Sequence, residues 1–526
     1  VTYTGDGNAD RRINHNLGSV PGMMIIKKYA GSTTRWAVYH RGLGTGKFLS
    51  LDDNAAVATQ SDFWETAPTA TQFTVETNGN VNNNGDSYVA YLFAHDEQEY
   101  GKNSDEAIIK CGSYTGSGST GKFIDLGFEP QWVLVKSLDT TANWVMIDTM
   151  RGMPEAGDGV RLLADQSSAE ATSASYFAPR ATGMEVTQQN TYVNASGTDY
   201  IYMAIRRPHK PASEFAATDL FHPKKFTTTG FTEYTGVGFP VDLAIQKAPD
   251  DTDSWDVLDR LRGPSKYIRF DSANAEGTDT QYFLGGFDFM NGVEMGTASN
   301  GQFNGWNPNL HYYFRRAPGF FDIVLYEGDS SSGTKTINHN LGAVPELMIV
   351  KNRDASYNWW TAHTFTASNA MRHYPGPNGV SAGTESYGTS LGLNAKPTST
   401  SFVVNTDTLI GRGDNYVAYL FATVNGISKI GSYTGTGSDV TVDCGFSAGA
   451  RFILIKRTDD TSSGQHWYVL DSVRGITTGN DGALQLNEPN SEDSRGWVKP
   501  DNSGFIASDQ YRTNISGAEY LFLAIA

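Results

Sequence analysis

The chain has 526 residues, with 40 basic against 57 acidic side chains and a net charge of −17 at pH 7. One hydrophobic core rarely serves a chain of this length, so several domains are expected. The acidic balance disfavours nucleic acid and anionic membrane surfaces as partners, and the apolar runs are too short to predict membrane insertion.

The first predicted repeat, residues 1–97, shares two motifs with the fourth, residues 320–423. "INHNLGSVP" occupies 13–21 and "INHNLGAVP" occupies 337–345, while "YVAYLFA" closes the two repeats at 88–94 and 416–422. Turn chemistry explains the reuse of Asn, Gly and Pro, but not of the residues between them. We therefore predict that these two repeats share one fold, type A.

The second, third and fifth repeats share another motif, in which an apolar strand ends in Lys and W-x3-D-x2-R-G follows. The strand ends at Lys136, Lys247 and Lys456 in the ranges 105–207, 220–317 and 427–526. The second and fifth also share "GSYTGSGS" and "GSYTGTGS", which makes them type B and the third type C. The order A-B-C-A-B predicts a longer parent chain, built by duplication of a three-repeat block, from which a final C-like repeat is absent here.

Each repeat is predicted to be all-β. The apolar segments are short, rich in Val, Ile, Leu and aromatic residues, and bounded by Gly, Pro and Asn, which is typical of strands. No convincing helical period occurs. About 100 residues with turn signals every eight to twelve predict roughly seven or eight strands, and hence five tandem β-sandwich or jelly-roll domains.

The recurring side chains have a structural interpretation. The Lys stem is expected to lie on the indole of the following Trp while its ammonium reaches water. The Asp and Arg, three residues apart, are expected to pair and fix the next turn. In the type A repeats His40 and His363 replace the Asp, so no chemistry common to all repeats needs the carboxylate. We predict that Trp144, Trp255 and Trp467 serve folding.

Enzyme signatures are missing from the sequence: it has no G-x-S-x-G elbow, H-E-x-x-H, Walker or dinucleotide motif. We therefore expect no catalytic residues and no enzyme. Cys111 and Cys444 are too far apart in the sequence to predict a disulfide framework or a zinc site. Acidic loops such as that of Asp52 and Asp53 leave Ca²⁺ as an option without EF-hand spacing, and no other cofactor is expected.

A ligand site special to one repeat should lie in residues that the other repeats lack. The third repeat contains "NGQFNGWNPNLHYYF" at 300–314, where aromatic rings for stacking on a sugar alternate with amides for its hydroxyls. The alternative is that Trp306 packs against a neighbouring domain. Strand alternation should turn Trp360 away from the face of Trp359, which makes it a second candidate. The predicted ligand residues are Phe303, Asn304, Trp306, His311, Tyr312 and Trp360.

The fifth repeat carries a combination of motifs that resembles a known group of proteins. "GSYTGTGS" at 431–438, then "GF", an apolar strand ending in Lys, W-x3-D-x2-R-G and "NISGAEYLFLAIA" at 514–526 resemble the repeated β-domains of structural and tail proteins of marine bacteriophages, especially those infecting cyanobacteria. The resemblance covers the second and fifth repeats well and the type A repeats through their ends. It is weak in the third, where "EYTGVGFPVDL" at 233–243 is shortened.

The resemblance implies a lectin-like, laminin-G-like architecture and a place on the virion surface, outside cells. The expected function is a tail fibre or surface fibre that adheres to host glycans, with other virion proteins and further copies of the chain as partners. A purely architectural collar, tube decoration or fibre shaft is the alternative. An extracellular polysaccharide-degrading enzyme is the third class, although the long β-helix typical of such spikes is missing.

Overall fold

A computed structural model of the chain supports the all-β prediction. It describes residues 1–31, 33–95, 107–153, 159–172, 175–227, 233–263, 265–279, 286–287, 289–294, 308–363, 370–374, 383–386, 392–460, 466–476, 481–509 and 511–526, with 172, 370–374 and 383–386 by their backbone only. Helical structure in these ranges is confined to α1 (Gly79–Asn82) and two 3-10 turns, Ala212–Glu214 and Ala217–Asp219. None of the helices in the described ranges is long and apolar enough to cross a membrane.

The described residues form five six-stranded antiparallel sheets, and all five have the same strand order. In each sheet the first strand pairs with the last, the last pairs with the long apolar third strand, and the next three strands follow in sequence. A smaller sheet of two or three strands accompanies each one. We call each pair of sheets a module and number the modules 1 to 5 along the chain.

Modules 1 and 4, which contain the type A motifs, have matching strands. The strands of module 1 are β1 (Thr2–Thr4), β2 (Arg11–Asn14), β3 (Pro21–Ala30), β4 (Ala37–His40), β5 (Lys47–Ser50), β6 (Ala58–Thr59), β7 (Gln72–Val75) and β8 (Ser87–Ala94). Module 2 follows with β9 (Ile109–Thr115), β10 (Lys122–Asp125), β11 (Pro130–Ser137), β12 (Val145–Asp148), β13 (Val160–Leu163), β14 (Ala171–Thr172), β15 (Phe177–Arg180), β16 (Gly183–Val186) and β17 (Asp199–Arg206).

Module 3 has the shortest second sheet. Its strands are β18 (Phe221–Phe226), β19 (Glu233–Tyr234), β20 (Leu243–Lys247), β21 (Asp256–Asp259), β22 (Lys266–Arg269), β23 (Gly277–Thr278), β24 (Val293–Glu294) and β25 (Asn309–Phe314). Module 4 comprises β26 (Phe321–Glu327), β27 (Thr334–Asn338), β28 (Leu347–Asn352), β29 (Trp360–His363), β30 (Ala370–Tyr374), β31 (Gly383–Ser386), β32 (Ser401–Asn405) and β33 (Asn415–Phe421).

Module 5 repeats the pattern of module 2. Its strands are β34 (Ser428–Thr434), β35 (Val440–Asp443), β36 (Phe452–Arg457), β37 (Trp467–Asp471), β38 (Asp481–Gln485), β39 (Asp493–Arg495), β40 (Val498–Asp501), β41 (Gly504–Ala507) and β42 (Glu519–Ile525). The recurring Arg-Gly step ends the fourth strand of its module with a left-handed turn, since Gly263 and Gly475 have φ of +93° and +106°. A side chain at this position would be strained, which explains the recurring Gly.

The chain divides into two compact units rather than five separate bodies. The first contains Val1–Thr149 and Met153–Pro208, hence modules 1 and 2, and the second contains Met150–Gly152 and His209–Ala526, hence modules 3, 4 and 5. Module 3 therefore groups with the two modules that follow it, whereas the repeat order suggested an A-B-C block. Shared apolar cores within each unit are the physical reason for this grouping.

Candidate functional site: the junctions between modules

The residues predicted to bind a ligand do not form one exposed site. Phe303, Asn304 and Trp306 lie outside the described residues. His311, Tyr312 and Trp360 are described, and the structure buries all of them.

His311 and Tyr312 lie on β25, the last strand of module 3, rather than in a loop. Nδ1 of His311 is 2.9 Å from the hydroxyl of Tyr313, and the hydroxyl of Tyr312 donates to Asp471 at 2.7 Å. The prediction that these two side chains face a sugar was wrong. The aromatic and amide composition of residues 300–314 continues into an interior strand, where aromatic rings pack the core.

Trp359 and Trp360 point to opposite faces of the sheet, as strand alternation predicted. Trp360 packs in the core of module 4 with Phe402, while Trp359 packs against Phe270 of module 3 and Tyr419 of its own module. Neither face is open to solvent here. The prediction of Trp360 as an exposed ligand platform was wrong, because the second sheet of the module covers its face.

In the second unit, each six-stranded sheet has one face toward the second sheet of its own module. The opposite faces of the three six-stranded sheets pack together in one shared core. It contains Leu243 and Ile245 from module 3, Ile349 and Phe421 from module 4, and Phe452, Leu454 and Leu523 from module 5. A cavity of about 40 Å³ lies among these side chains. A water molecule fits in that volume but finds no polar partners in an aliphatic and aromatic lining, so the cavity is a packing void rather than a polar ligand site.

A buried charge cluster joins module 3 to module 4. Arg262 contacts Asp259 at 2.5 Å and Glu276 at 3.3 Å, and the Tyr419 hydroxyl of module 4 donates to Asp259 at 2.8 Å. Arg353 of module 4 reaches the same Glu276 at 2.9 Å. Burial raises the pKa of Glu276, but Arg353 and Arg262 outweigh it and hold that pKa below its usual value. Glu276 is therefore charged and paired, as a buried charge must be.

The junction between modules 5 and 3 repeats this arrangement with equivalent residues. Arg474 contacts Asp471 at 2.6 Å and Glu492 at 3.0 Å, and the hydroxyl of Tyr312 in module 3 donates to Asp471 at 2.7 Å. The Glu492 amide donates to Pro249 of module 3 at 2.7 Å. The predicted pairing of the recurring Asp and Arg is thus confirmed in modules 3 and 5, and a Tyr of the neighbouring module completes each pair.

The recurring Lys also crosses the junctions. Nζ of Lys247 donates to Pro489 O of module 5 at 3.1 Å, and Nζ of Lys351 donates to Ala273 O of module 3 at 2.9 Å. Burial lowers the pKa of each of these lysines to about 8. The prediction that these ammonium groups reach water was wrong, because carbonyl oxygens of their own module and of the neighbouring module together replace the solvent.

The recurring Trp makes the third type of junction contact. Nε1 of Trp255 donates to Gln485 O of module 5, and Nε1 of Trp359 donates to Arg269 O of module 3, both at 2.8 Å. Each acceptor lies four residues before the carbonyl that binds the Lys of the same module, Pro489 and Ala273 respectively. The neighbouring strand is therefore held in one register at both junctions.

The first unit contains one junction of the same kind. Nε1 of Trp144 donates to Ser50 O at 2.8 Å, and Nζ of Lys136 lies 3.4 Å from Asn54 O, again four residues further along. Burial lowers the pKa of Lys136 to about 8. Module 2 thus contacts module 1 as module 3 contacts module 5. These inter-module contacts are what sequence reasoning missed, although the shared Lys and Trp spacing was the available signal.

The chemistry of reactive groups in the described ranges is limited. No group of three or more His, Cys, Asp or Glu side chains there could hold a metal ion. Burial raises the pKa of Cys111 and Cys444 to about 12, which leaves few thiolates at neutral pH. In the acidic loop considered for Ca²⁺, Asp52 accepts from the Trp36 amide at 3.0 Å and Asp53 accepts from the Ala55 amide at 2.8 Å.

The fold and junctions define a class of protein, one built from repeated all-β modules that pack around shared cores. A family model described as a domain of unknown function, DUF7483, matches residues 1–208 and 314–526, and the chain belongs to this family. Each matched segment holds one pair of type A and type B modules, and nearly all of module 3 lies between them. No curated protein matches the chain.

Proposed function

We propose that this protein is an architectural component of a virion appendage, in which the modules are rigid building blocks. The resemblance to structural and tail proteins of bacteriophages supports the virion setting. One observation carries the architectural role: the side chains that recur from repeat to repeat make contacts between modules. Trp255, Lys247 and Asp259 of module 3 all bind a neighbouring module.

The burial of the recurring residues at the junctions disfavours the alternative of multivalent adhesion. A chain that multiplies a weak binding site should repeat exposed side chains of the kind that bind ligands. Here the recurring Trp, Tyr and Lys of the second unit lie inside it. Repetition therefore supports assembly of a shared core, which is the physical requirement of a shaft or collar.

Adhesion to host glycans is the second candidate, and it depends on residues that do not recur. Phe303, Asn304 and Trp306 belong to a segment that the other repeats lack. The three buried candidates no longer support it. In this proposal the chain still lies on the virion surface and contacts other virion proteins, and module 3 adds a receptor-binding segment.

Immunogold electron microscopy tests the virion assignment. An antibody raised against the full chain is applied to intact particles from the source of the sequence, with an antibody against the capsid as reference. We expect label at an appendage, outside the capsid shell. Label absent from particles whose capsid is labelled would contradict the proposal.

A glycan array separates the architectural role from adhesion. The full chain and its Trp306→Ala variant are applied to immobilised bacterial surface polysaccharides, and both are checked by their thermal unfolding. The architectural proposal expects no retention of either protein. Retention of the wild-type chain that Trp306→Ala abolishes would instead establish adhesion, and release of reducing sugars would favour the polysaccharide-degrading class.

A further inference from the structure

Modules 1 and 4 are the same module in two different settings. "VTYTGD" begins module 1 at Val1 and "VLYEGD" occupies the same place from Val324. Lys27 pairs with Val89 across the sheet as Lys351 pairs with Val417. This register makes Tyr91 equivalent to Tyr419, and the motif spacing makes Trp36 equivalent to Trp359.

The equivalent side chains differ in exposure. Tyr419 is 1% exposed, whereas Tyr91 is 48% exposed. Trp359 is buried and donates its indole N–H to module 3, whereas Trp36 is partly exposed and stacks on Tyr91 with ring centroids 6.4 Å apart. Both lysines donate to a carbonyl of their own module, Tyr357 for Lys351 and Thr34 for Lys27, and Lys351 donates to module 3 in addition. Module 1 thus presents to solvent the residues with which module 4 binds module 3.

The apolar surface of the first unit extends beyond these residues. Phe93, Trp132 and Met146 pack against its shared core and remain partly exposed. The residues in the same register of the second unit, Phe421, Phe452 and Val469, are all buried in its shared core. Partly exposed apolar side chains that pack on one core, where the equivalent side chains of the second unit are buried, indicate an interaction site.

The polar groups at the edge of the patch select the partner. The Tyr419 hydroxyl is bound by a carboxylate, Asp259, so the hydroxyl of Tyr91 needs an Asp at the same position of its partner. A type A module has His40 or His363 there. A type B module has an Asp at that position, but its last strand carries Met203 or Leu523 in place of the Tyr. It therefore lacks the hydroxyl that Tyr312 uses in the second unit to donate a hydrogen bond to Asp471.

We propose that this face of the first unit, formed by Tyr91, Trp36, Phe93, Trp132 and Met146, binds a further type C module, one that lies outside residues 1–526. The partner supplies an Asp-Arg pair for Tyr91 and a backbone carbonyl for the Trp36 indole, as Asp259, Arg262 and Arg269 do for module 4. The complex reproduces the three-module arrangement of the second unit. The proposal is independent of the virion assignment.

A graft onto the full chain tests the proposal. A second copy of residues 209–323 is fused directly before Val1, so that its join reproduces the natural Ile323–Val324 bond. Tetranitromethane nitrates accessible tyrosines, and peptide mass spectrometry reads each site. Tyr511, which is 69% exposed in module 5, serves as the reference for reagent activity, and the buried Tyr419 as the reference for full protection.

We expect the graft to slow nitration of Tyr91 about tenfold relative to Tyr511, because reaction then requires local opening of the new junction. A graft of residues 427–526, a type B module, is the matched control and should protect Tyr91 much less. Unchanged nitration of Tyr91 in a grafted chain in which both copies of Tyr312 are protected would overturn the proposal. Equal protection by both grafts would overturn the selection of type C.

The ungrafted chain provides the remaining test. If a second copy of the chain were the occupant, protection of Tyr91 would rise with protein concentration, and sedimentation velocity would show association. We expect Tyr91 to be nitrated at the same rate at every concentration. Concentration-dependent protection that Trp36→Ala abolishes would show that a second copy of the chain is the occupant and would overturn the assignment to a type C module outside residues 1–526.

Discussion

The first and second units contain the same pair of modules, and they differ in what covers it. In the second unit, module 3 binds both module 4 and module 5 and closes a core to which all three contribute. In the first unit, modules 1 and 2 share a smaller core whose edge is partly exposed. The recurring residues therefore encode docking between modules as well as the fold of each one.

The His that replaces the recurring Asp in the type A modules also contacts a neighbouring module. Nε2 of His40 is 3.1 Å from Tyr202 O of module 2, and burial lowers the pKa of His40 to about 4, which leaves the imidazole neutral. The last strand of a type B module has Met203 or Leu523 where types A and C have a Tyr, so a carboxylate in place of the His would be buried without a hydroxyl donor. The residue at this position therefore distinguishes correct from incorrect neighbours.

Truncating the recurring Trp should give the largest difference between the units. Trp359→Ala removes a ring buried against module 3 and should lower the free energy of unfolding of the second unit by about 3–5 kcal/mol. Trp36→Ala removes a partly exposed ring and should cost the first unit less than about 1.5 kcal/mol. Hydrogen exchange of strand peptides in each unit measures both losses. Equal losses would show that Trp36 is as covered as Trp359.

The tyrosine hydroxyls provide a smaller and more specific comparison. Tyr419→Phe leaves the buried Asp259 without one of its donors and should cost about 1.5–3 kcal/mol, since hydrogen bonds to charged groups exceed neutral ones. Tyr91→Phe alters a half-exposed ring edge and should change stability by less than about 0.5 kcal/mol. Urea unfolding followed by exchange protection distinguishes the two. If Tyr419→Phe left the free energy of unfolding unchanged, the Tyr419 hydroxyl would not stabilise the buried charge cluster at this junction.

The junction lysines predict a pH dependence. The pKa of Lys351 is about 8 in the folded chain against an ordinary 10.5, so the unfolded chain binds more protons between these values. Deprotonation of Lys351 therefore stabilises the folded chain. This stabilisation is fully present above the pKa of the lysine in the unfolded chain, and it is lost as pH falls through the pKa in the folded chain. The wild-type chain should therefore gain stability relative to Lys351→Met between about pH 8 and about pH 10.

Urea unfolding across that range tests the lysine prediction. Comparison with Lys351→Met isolates this one group, because the tyrosines and cysteines titrate alike in the two proteins. Trp36→Ala is the control, because it removes no titratable group. It should change the free energy of unfolding without changing how that free energy depends on pH. Parallel profiles for the wild type and Lys351→Met would contradict a buried lysine at this junction.

The sequence was sufficient for features that depend on neighbours along the chain. The Gly- and Asn-bounded runs of Val, Ile and aromatic residues predicted the all-β fold, which the sheets confirm. Alternation along β29 predicted that Trp359 and Trp360 face opposite ways, and the spacing of Asp471 and Arg474 predicted their ion pair. Periods of two and three residues fix these relations locally, and the fold does not change them.

What covers each face of a sheet depends on contacts between distant parts of the chain. Composition suggested that Tyr312 and Trp360 were exposed to a ligand, and strand-end position suggested that the ammonium of Lys247 reached water, but partners from distant parts of the chain bury all three. The same motif leaves Tyr91 half exposed in module 1 and buries Tyr419 in module 4. Identical residues cannot encode that difference, because burial depends on which module packs against the sheet.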